Sequence, residues 1–226
     1  SEMCIRDRNK IVELLDELSP EAQLIGAVNT VLNDNGKLIG YNTDGYGFMQ
    51  SVRDAGHDIT GKNITVMGVG GASMAICAQS ALDGAASVHI FARRTSRYWN
   101  RTQKFAENLS AKTGCQVCLF DNDDHTALRD SIAQSYLLIN ATSVGMVPDI
   151  DDTIIKDTSL FHPELVVADV VYEPQETRLL REAKAAGCQT FNGMYMLLHQ
   201  GAKAFQIWTG QEMPVSVIKE KYFSVK

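Results

Sequence analysis

Short runs of apolar residues recur from residue 63 onward, and each is followed by a helical or irregular segment. Six of these runs have the length of a strand. They are NITVMG (63–68), SVHIFA (87–92), CQVCLF (115–120), YLLINA (136–141), LVVADVV (165–171) and CQTFNG (188–193). Strands that alternate with helices are joined by crossover connections. The pattern therefore predicts an α/β fold with a doubly wound parallel sheet.

The chain before residue 63 shows helical periodicity and turn signals instead. Apolar residues at i, i+3, i+4 and i+7 from Ile11 to Leu18 share one helical face, which predicts a helix over 9–18. Residues 1–8 carry no such pattern. Further predicted elements are a helix that starts at Ser19-Pro20 and ends at Gly26, a hairpin that turns at Asn35-Gly36, a helix over 44–55, and helices over 194–209 and 215–222.

Composition excludes some classes of partner. The 226 residues are 45% hydrophobic and 21% charged, as in an ordinary globular protein. A net charge of -6 gives no basic face for nucleic acid, and no apolar run is long enough to span a bilayer. We therefore expect a cytoplasmic protein with neither nucleic-acid nor membrane partners.

The five cysteines are scattered, which favours a reducing compartment. Cys115 and Cys118 form a CxxC pair, a spacing found in redox and zinc sites. No second Cys or His pair follows at metal spacing, and the pair lies in a predicted strand. Packing of small apolar residues is the favoured interpretation, and no metal site is predicted.

A glycine-rich turn joins the first of the six strands to a helix, in the segment ITVMGVGGASMAICAQSAL. Gly68, Gly70 and Gly71 would let the backbone turn tightly and approach a pyrophosphate, with Ala72 and Ser73 opening the helix. A tight turn without a ligand is the alternative, because Ser73 stands where the usual motif has a third glycine. The strand–turn–helix context favours a dinucleotide site.

The end of the next strand carries a cluster of arginines. NAD sites usually place an acidic residue here for the ribose 2′-hydroxyl, whereas arginine suits the 2′-phosphate of NADP. The sequence FARRTSR supplies Arg93, Arg94 and Arg97, with no acidic residue nearby in the sequence. We therefore predict NADP as the cofactor, with NAD as the alternative. A solvated basic loop would explain the same residues.

Six motifs in a fixed order resemble the shikimate dehydrogenases, and most closely their quinate/shikimate dehydrogenase branch. They are GAVNT, NTDG, GxGGAS, NATSVGM, DVVYEP and MLLHQGA, within a resemblance that covers about 9–223. The resemblance implies NAD(P)-dependent interconversion of shikimate and 3-dehydroshikimate, or of quinate and 3-dehydroquinate, in the shikimate pathway to chorismate and the aromatic amino acids. It also implies a polyol carboxylate as the small-molecule partner. We expect a monomer or a homodimer.

The resemblance assigns roles to residues by motif. It implies substrate contacts from Asn29, Asp44, Tyr172 and Gln200, and a nicotinamide-side border formed by Thr142, Ser143, Met146 and Gly193. Asp44 would also belong to the catalytic pair. The residue type suits that role, because alcohol oxidation releases a proton that a carboxylate can accept. Taken alone, Asp44 would be interpreted as a helix N-cap, and both roles are compatible.

The family's other catalytic residue is a lysine that ends a segment resembling NVTxPxK, and the chain lacks this segment. The lysine position falls on Arg8, and Lys10 lies two residues further along. Arginine stays protonated at any accessible pH and cannot relay a proton as lysine can. We therefore expect an N-terminally truncated chain with a foreign-looking leader at 1–8 and impaired turnover. A non-catalytic dinucleotide-binding module is the alternative function.

The resemblance also implies a domain layout. We expect 1–57 to be the remnant of an α/β substrate domain, 58–195 to be a Rossmann dinucleotide-binding domain, and 196–226 to return as helices to the first domain.

Overall fold

The computed structural model describes residues 7–223. The first six residues of the predicted leader, Cys4 among them, lie outside this range, as do residues 224–226. Within the described range, the helices are too short or too polar to cross a bilayer.

A small three-stranded sheet comes first in the chain. Its strands are β1 (Glu17–Leu18), β2 (Thr30–Asp34) and β3 (Lys37–Tyr41), in the order β1-β3-β2. Strands β2 and β3 pair antiparallel through a turn in which Asn35 and Gly36 both have positive φ, as in the hairpin turn predicted from the sequence. Helix α1 (Pro20–Ile25) is capped by the Ser19 hydroxyl and followed by Gly26, which confirms that prediction.

The predicted helix over 9–18 is wrong. Only Ile11–Leu14 is helical, as a single turn of 3-10 helix, and Glu17–Leu18 is a strand that pairs parallel with Ile39 and Gly40 of β3. A Cβ at Gly40 would meet the side chains of Leu15 and Leu18, so both side chains lie against β3. The ladder hydrogen bonds and this packing outweigh a helical periodicity of only two turns.

The larger sheet has six strands, all parallel. They are β4 (Asn63–Met67), β5 (Ser87–Ala92), β6 (Gln116–Asp121), β7 (Leu137–Asn140), β8 (Val166–Asp169) and β9 (Gln189–Phe191). The spatial order is β6-β5-β4-β7-β8-β9, so the chain order within this sheet is 3-2-1-4-5-6. This is the dinucleotide-binding topology, and its switch point lies between β4 and β7. The predicted α/β class and all six strands are confirmed.

Helices cover both faces of the large sheet. Helices α3 (Gly71–Leu82), α4 (Trp99–Thr113), α5 (His125–Gln134) and α6 (Arg178–Ala185) contact its strands. Helix α2 (Asp44–Asp54) packs against α3 and α7 (Met194–Thr209), and α8 (Val215–Ile218) packs against α7. A 3-10 turn lies at Thr158–Leu160 and a π-helical turn at Lys219–Phe223. Alternate strand residues enter two apolar cores. Leu137 and Ile139 of β7 belong to the core beneath α3, whereas Leu138 belongs to the core beneath α6.

Helix α2 is packed between α3 and α7 at very short range. A Cβ at Gly45 would overlap the Ala75 carbonyl oxygen of α3. One at Gly47 would lie 2.7 Å from the Met196 carbonyl oxygen of α7. The two glycines therefore let neighbouring helices approach α2 at the end that carries Asp44. The predicted domain limits at 57 and 195 remain predictions.

Candidate active site

Asp44 begins α2 and is 94% buried. Its backbone N–H donates to the Asn42 side-chain oxygen at 3.2 Å, so Asn42 holds the start of the helix. The Asn29 amide donates to Asp44 Oδ1 at 2.8 Å and to the Thr43 hydroxyl at 3.0 Å. Asn29 also accepts from the Thr43 backbone N–H through its own oxygen. The carboxylate is therefore held by a polar network that spans two chain segments.

Arg8 pairs with the other oxygen of this carboxylate. Its guanidinium donates to Asp44 Oδ2, and its carbonyl accepts from the Val28 backbone N–H at 2.8 Å. The side chain of Lys10 is 81% exposed and lies 3.7 Å from Asp7, so this lysine faces away from Asp44. Arg8 is thus the basic side chain that the described structure places on Asp44, at the position where the family resemblance implies a lysine.

Two cavities meet at the glycine turn. The first, of about 420 Å³, is lined by Asp44, Asn42 and Gln200 on one side and by Gly70, Gly71 and Ala72 on the other. The second, of about 650 Å³, shares those three loop residues and adds Thr142, Ser143, Met146 and Tyr172. The fold therefore brings together most of the predicted site residues. Asn29 supports Asp44 from behind and does not line either cavity.

The glycines of the turn have different physical reasons to be glycine. Gly68 has a φ of +112°, and a Cβ there would lie 2.8 Å from the Thr142 methyl group. Gly70 has an ordinary φ of -80°, and a Cβ there or at Gly71 would project into open space. Neither backbone strain nor packing within the protein therefore requires glycine at 70. Close approach of a ligand would explain it, as expected for a pyrophosphate at the N-terminus of α3.

Ser73 explains how the turn keeps its shape without a third glycine. Its hydroxyl donates to the Gly68 carbonyl at 2.6 Å, and the side chain is fully buried. This bond ties the first turn of α3 back to the end of β4. The predicted role of Ser73 in cofactor binding is thus accompanied by a structural role in closing the loop.

The arginine cluster follows β5, with Arg93, Arg94 and Arg97 all exposed. The Arg97 guanidinium donates to the Tyr98 hydroxyl at 2.6 Å. No acidic residue is near this cluster in the sequence, but the fold brings one beside it. Strand β6 pairs with β5 so that Asp121 lies beside Ala92, and Asp121 Oδ1 accepts from the Arg94 backbone N–H at 3.4 Å. Asp121 cannot be recognised as a neighbour of Arg94 from the sequence, because the two lie 27 residues apart.

A buried network missed by the sequence analysis positions the residues after β7. Asn140 accepts from the backbone and hydroxyl of Thr142 and donates to Asp169 Oδ1 at 3.0 Å. Asp169 also accepts from Thr177 at 2.7 Å, and burial raises the pKa of its carboxyl. The loop that carries Thr142 is therefore fixed by the ends of two adjacent strands.

Gly193, predicted to border the nicotinamide, has a packing reason to be glycine. A Cβ there would overlap the Val170 carbonyl oxygen, so the start of α7 lies directly on the end of β8. This contact places Met196 and Gln200 of α7 at the first cavity. Tyr98, just before α4, and Arg101 of α4 also line that cavity, and no motif in the sequence singled them out.

The CxxC pair shows the environment of packing residues. Cys115 is buried, and burial raises the pKa of its thiol to about 11, which disfavours the reactive thiolate at neutral pH. Cys118 lies within β6. Across residues 7–223, no group of three or more His, Cys, Asp or Glu side chains is placed to hold a metal ion.

Comparison with known proteins supports the resemblance seen in the motifs. The family model described as the shikimate 5'-dehydrogenase C-terminal domain matches residues 193–221. A shikimate dehydrogenase (NADP(+)) of Listeria innocua is 51% identical over 217 residues, which cover 96% of this chain and 74% of the relative. A quinate/shikimate dehydrogenase of Escherichia coli is 42% identical over 208 residues, which cover 92% of this chain and 72% of the relative.

Solved structures agree in fold. The crystal structure of shikimate 5-dehydrogenase from Listeria monocytogenes, in complex with shikimate and NAD, superposes with a TM-score of 0.94 at 49% identity. The superposition covers 97% of this chain and 75% of the Listeria monocytogenes chain. Identity of this extent, with the Rossmann strand order and an aspartate-lined cavity beside the glycine turn, assigns this chain to the shikimate dehydrogenase family.

Proposed function

We propose that this chain is an NADP-dependent dehydrogenase that interconverts shikimate and 3-dehydroshikimate. One observation carries the proposal: the cavity with Asp44 and Gln200 opens onto Gly70–Ala72, which also line the cavity with Thr142 and Tyr172. A substrate beside Asp44 and a dinucleotide on the glycine turn would meet at that shared wall. Bound NADP would supply the hydride acceptor for alcohol oxidation.

Asp44 is assigned to the proton of the reacting hydroxyl. Its Oδ1 is held by Asn29, so Oδ2, which Arg8 contacts, is assigned as the oxygen for proton transfer. Gln200 projects from α7 into the same cavity and is assigned to a ring hydroxyl of the substrate. Tyr172, at the second cavity, would close over the substrate from the far side of the glycine turn. These contacts would orient a polyol, and orientation contributes much of the rate of such reactions.

Arg8 makes this site a poor proton relay. Its guanidinium stays protonated, so it cannot pass a proton onward, and it occupies the Asp44 oxygen that the substrate hydroxyl needs. We therefore expect slow turnover by the 226-residue chain. Asp44 nevertheless keeps its hydrogen-bonded network with Asn29 and Thr43, which favours a weakened enzyme over a non-catalytic binding module.

NADP is favoured as the cofactor by Arg93, Arg94 and Arg97, all exposed at the end of β5. NAD is the alternative cofactor. Quinate is a second candidate substrate, since the Escherichia coli relative is named for both activities. The remaining proposals are a cytoplasmic location, a monomeric or homodimeric state, and partners restricted to small molecules.

A turnover assay tests the proposal. The purified chain is mixed with NADP⁺ and either shikimate or quinate, and the absorbance of reduced nicotinamide is followed. Asp44→Asn should lower kcat by about 10² to 10⁴. The matched control is Asp124→Asn, the same change at the N-cap of α5, where asparagine also caps a helix.

Two outcomes would overturn the proposal. Turnover that Asp44→Asn leaves unchanged would show that the catalytic site is misassigned. NADP binding without any turnover, in the chain and in an Arg8→Lys variant, would instead show a binding module.

A further inference from the structure

The three arginines after β5 do not share one environment. The Arg94 guanidinium carbon lies 4.7 Å from the centroid of the Trp99 ring. The Trp99 side chain is mostly buried, with 8% of its surface exposed, and it begins α4. A cation over an indole face is the strongest of the common cation–π arrangements. Arg94 therefore lies on a fixed aromatic surface, although it is itself exposed.

Stacking leaves the donors of Arg94 available. The ring contacts the face of the guanidinium, whereas its five N–H groups point outward in its plane. Within residues 7–223, no acceptor takes a hydrogen bond from the Arg94 side chain. Arg97 also lies over a ring, that of Tyr98 at 4.7 Å, but this ring is 38% exposed and its hydroxyl takes one of the Arg97 donors at 2.6 Å. Arg94 thus combines a held side chain with free donors.

The backbone of Arg94 is held as well. Its N–H donates to Asp121 Oδ1 at 3.4 Å, and Asp121 also accepts from the Asp123 backbone N–H at 3.2 Å. Asp121 lies level with Ala92 across the β5–β6 pairing. The residue is therefore anchored at its main chain by one strand and at its side chain by the start of the following helix.

We propose that Trp99 is a positioning residue that sets the preference for NADP by holding Arg94 in the orientation that receives the ribose 2′-phosphate. The inference rests on the proposed function only for the identity of the cofactor. A guanidinium fixed before binding loses less conformational entropy when it meets the phosphate. Because NAD has a hydroxyl in place of this phosphate, the gain applies to NADP alone.

Calorimetric binding without turnover tests the inference. The probes are NADP⁺, NAD⁺ and adenosine 2′-monophosphate, and the variants are Trp99→Leu, Trp99→Phe, Arg94→Ala and the double variant Arg94→Ala/Trp99→Leu. Trp99→Leu should raise the Kd for NADP⁺ and for adenosine 2′-monophosphate by about two- to tenfold and leave the Kd for NAD⁺ unchanged. Trp99→Phe keeps an aromatic face and should retain most of the affinity for NADP⁺. Trp208→Leu is the control, since Trp208 lies on α7 with its indole bonded to the Val31 carbonyl.

The double variant separates positioning from general damage. If Trp99 acts through Arg94, Trp99→Leu has no further effect on NADP⁺ affinity once Arg94 is alanine. Additive losses, or equal losses for NADP⁺ and NAD⁺, would overturn the inference. These readouts do not depend on catalysis, so they stand apart from the Asp44→Asn result.

Folding of the leucine variant is checked by its thermal midpoint. If it does not fold, a Trp208→Phe background leaves Trp99 as the single tryptophan. Its emission should then change when adenosine 2′-monophosphate is added to the Arg94 protein and stay constant in the Arg94→Ala protein. Constant emission in both would also overturn the inference.

Discussion

The six-stranded sheet and the three-stranded sheet differ in what holds their strands. Every residue of β7 and of β8 is buried, because helices cover both faces. In β2 and in β3 only one residue of five is buried. The Asp44 carboxylate, which follows the small sheet in the chain, is instead held by hydrogen bonds among Asn29, Thr43 and Asp44. Apolar packing thus forms the scaffold for the cofactor, whereas a polar network forms the proposed proton site.

Core truncation should affect the two sheets unequally. Leu138→Ala in β7 removes a fully buried side chain between the sheet and α6, and should lower the free energy of unfolding by about 2–5 kcal/mol. Leu32→Ala in β2 removes a half-buried one and should cost about 1 kcal/mol. Urea denaturation followed by circular dichroism measures both. Equal losses would mean that the small sheet contributes a core of comparable strength.

Arg8→Lys should restore a group that can relay a proton beside Asp44. Lysine can lose its proton, so kcat with shikimate should rise by about ten- to a hundredfold while the Kd for NADP⁺ stays constant. Lys10→Arg is the matched control, because Lys10 points to solvent and should leave kcat unchanged. A rate that Arg8→Lys does not raise would show that proton relay through position 8 does not limit turnover.

Two glycine substitutions separate ligand approach from packing. Gly70→Ala adds a methyl group toward open space, so the thermal midpoint should hold while the Kd for NADP⁺ and for NAD⁺ rises by about tenfold. Gly193→Ala drives a methyl group into the Val170 carbonyl and should lower the thermal midpoint. Unchanged cofactor affinity in Gly70→Ala would contradict a pyrophosphate at this loop.

The smallest expected effect is on the pH dependence of the unfolding free energy, through His89 in β5 of the large sheet. Burial lowers the pKa of His89 below its ordinary value of 6.5. The folded protein therefore favours neutral imidazole, and this stability is complete above the unfolded pKa and lost as the pH falls below it. Between about pH 7.5 and about pH 5.5, the unfolding free energy should fall less in His89→Asn than in the unsubstituted chain. Identical slopes would show that His89 does not contribute.

The sequence predicted well wherever local chemistry decides the structure. Asn35-Gly36, Ser19-Pro20 and the glycine turn each fix the backbone through their own residue types. It failed at 9–18, where partners distant in sequence decide between helix and strand. It missed Asp121 near Arg94 for the same reason, since only strand pairing brings the two together.

Some residues of the candidate site could likewise be predicted from the sequence, and others could not. The glycine turn was predictable from the residues themselves, and Asp44 and Gln200 from family motifs. The Asn140–Asp169–Thr177 network was not, because the motifs that contain Asn140 and Asp169 do not indicate that the two side chains meet. Tyr98 and Arg101 reach the cavity only because α4 crosses near α1, which the sequence alone does not reveal.

The two glycines of α2 have a consequence for protein engineering. Alanine at position 45 or 47 would improve intrinsic helix propensity by about 1 kcal/mol, so a design procedure that scores local sequence would select it. Each added methyl group would instead wedge α2 away from a neighbouring helix, at the end where Asp44 stands. A thermostabilised version of this protein would therefore have to keep both glycines and their lower helix propensity.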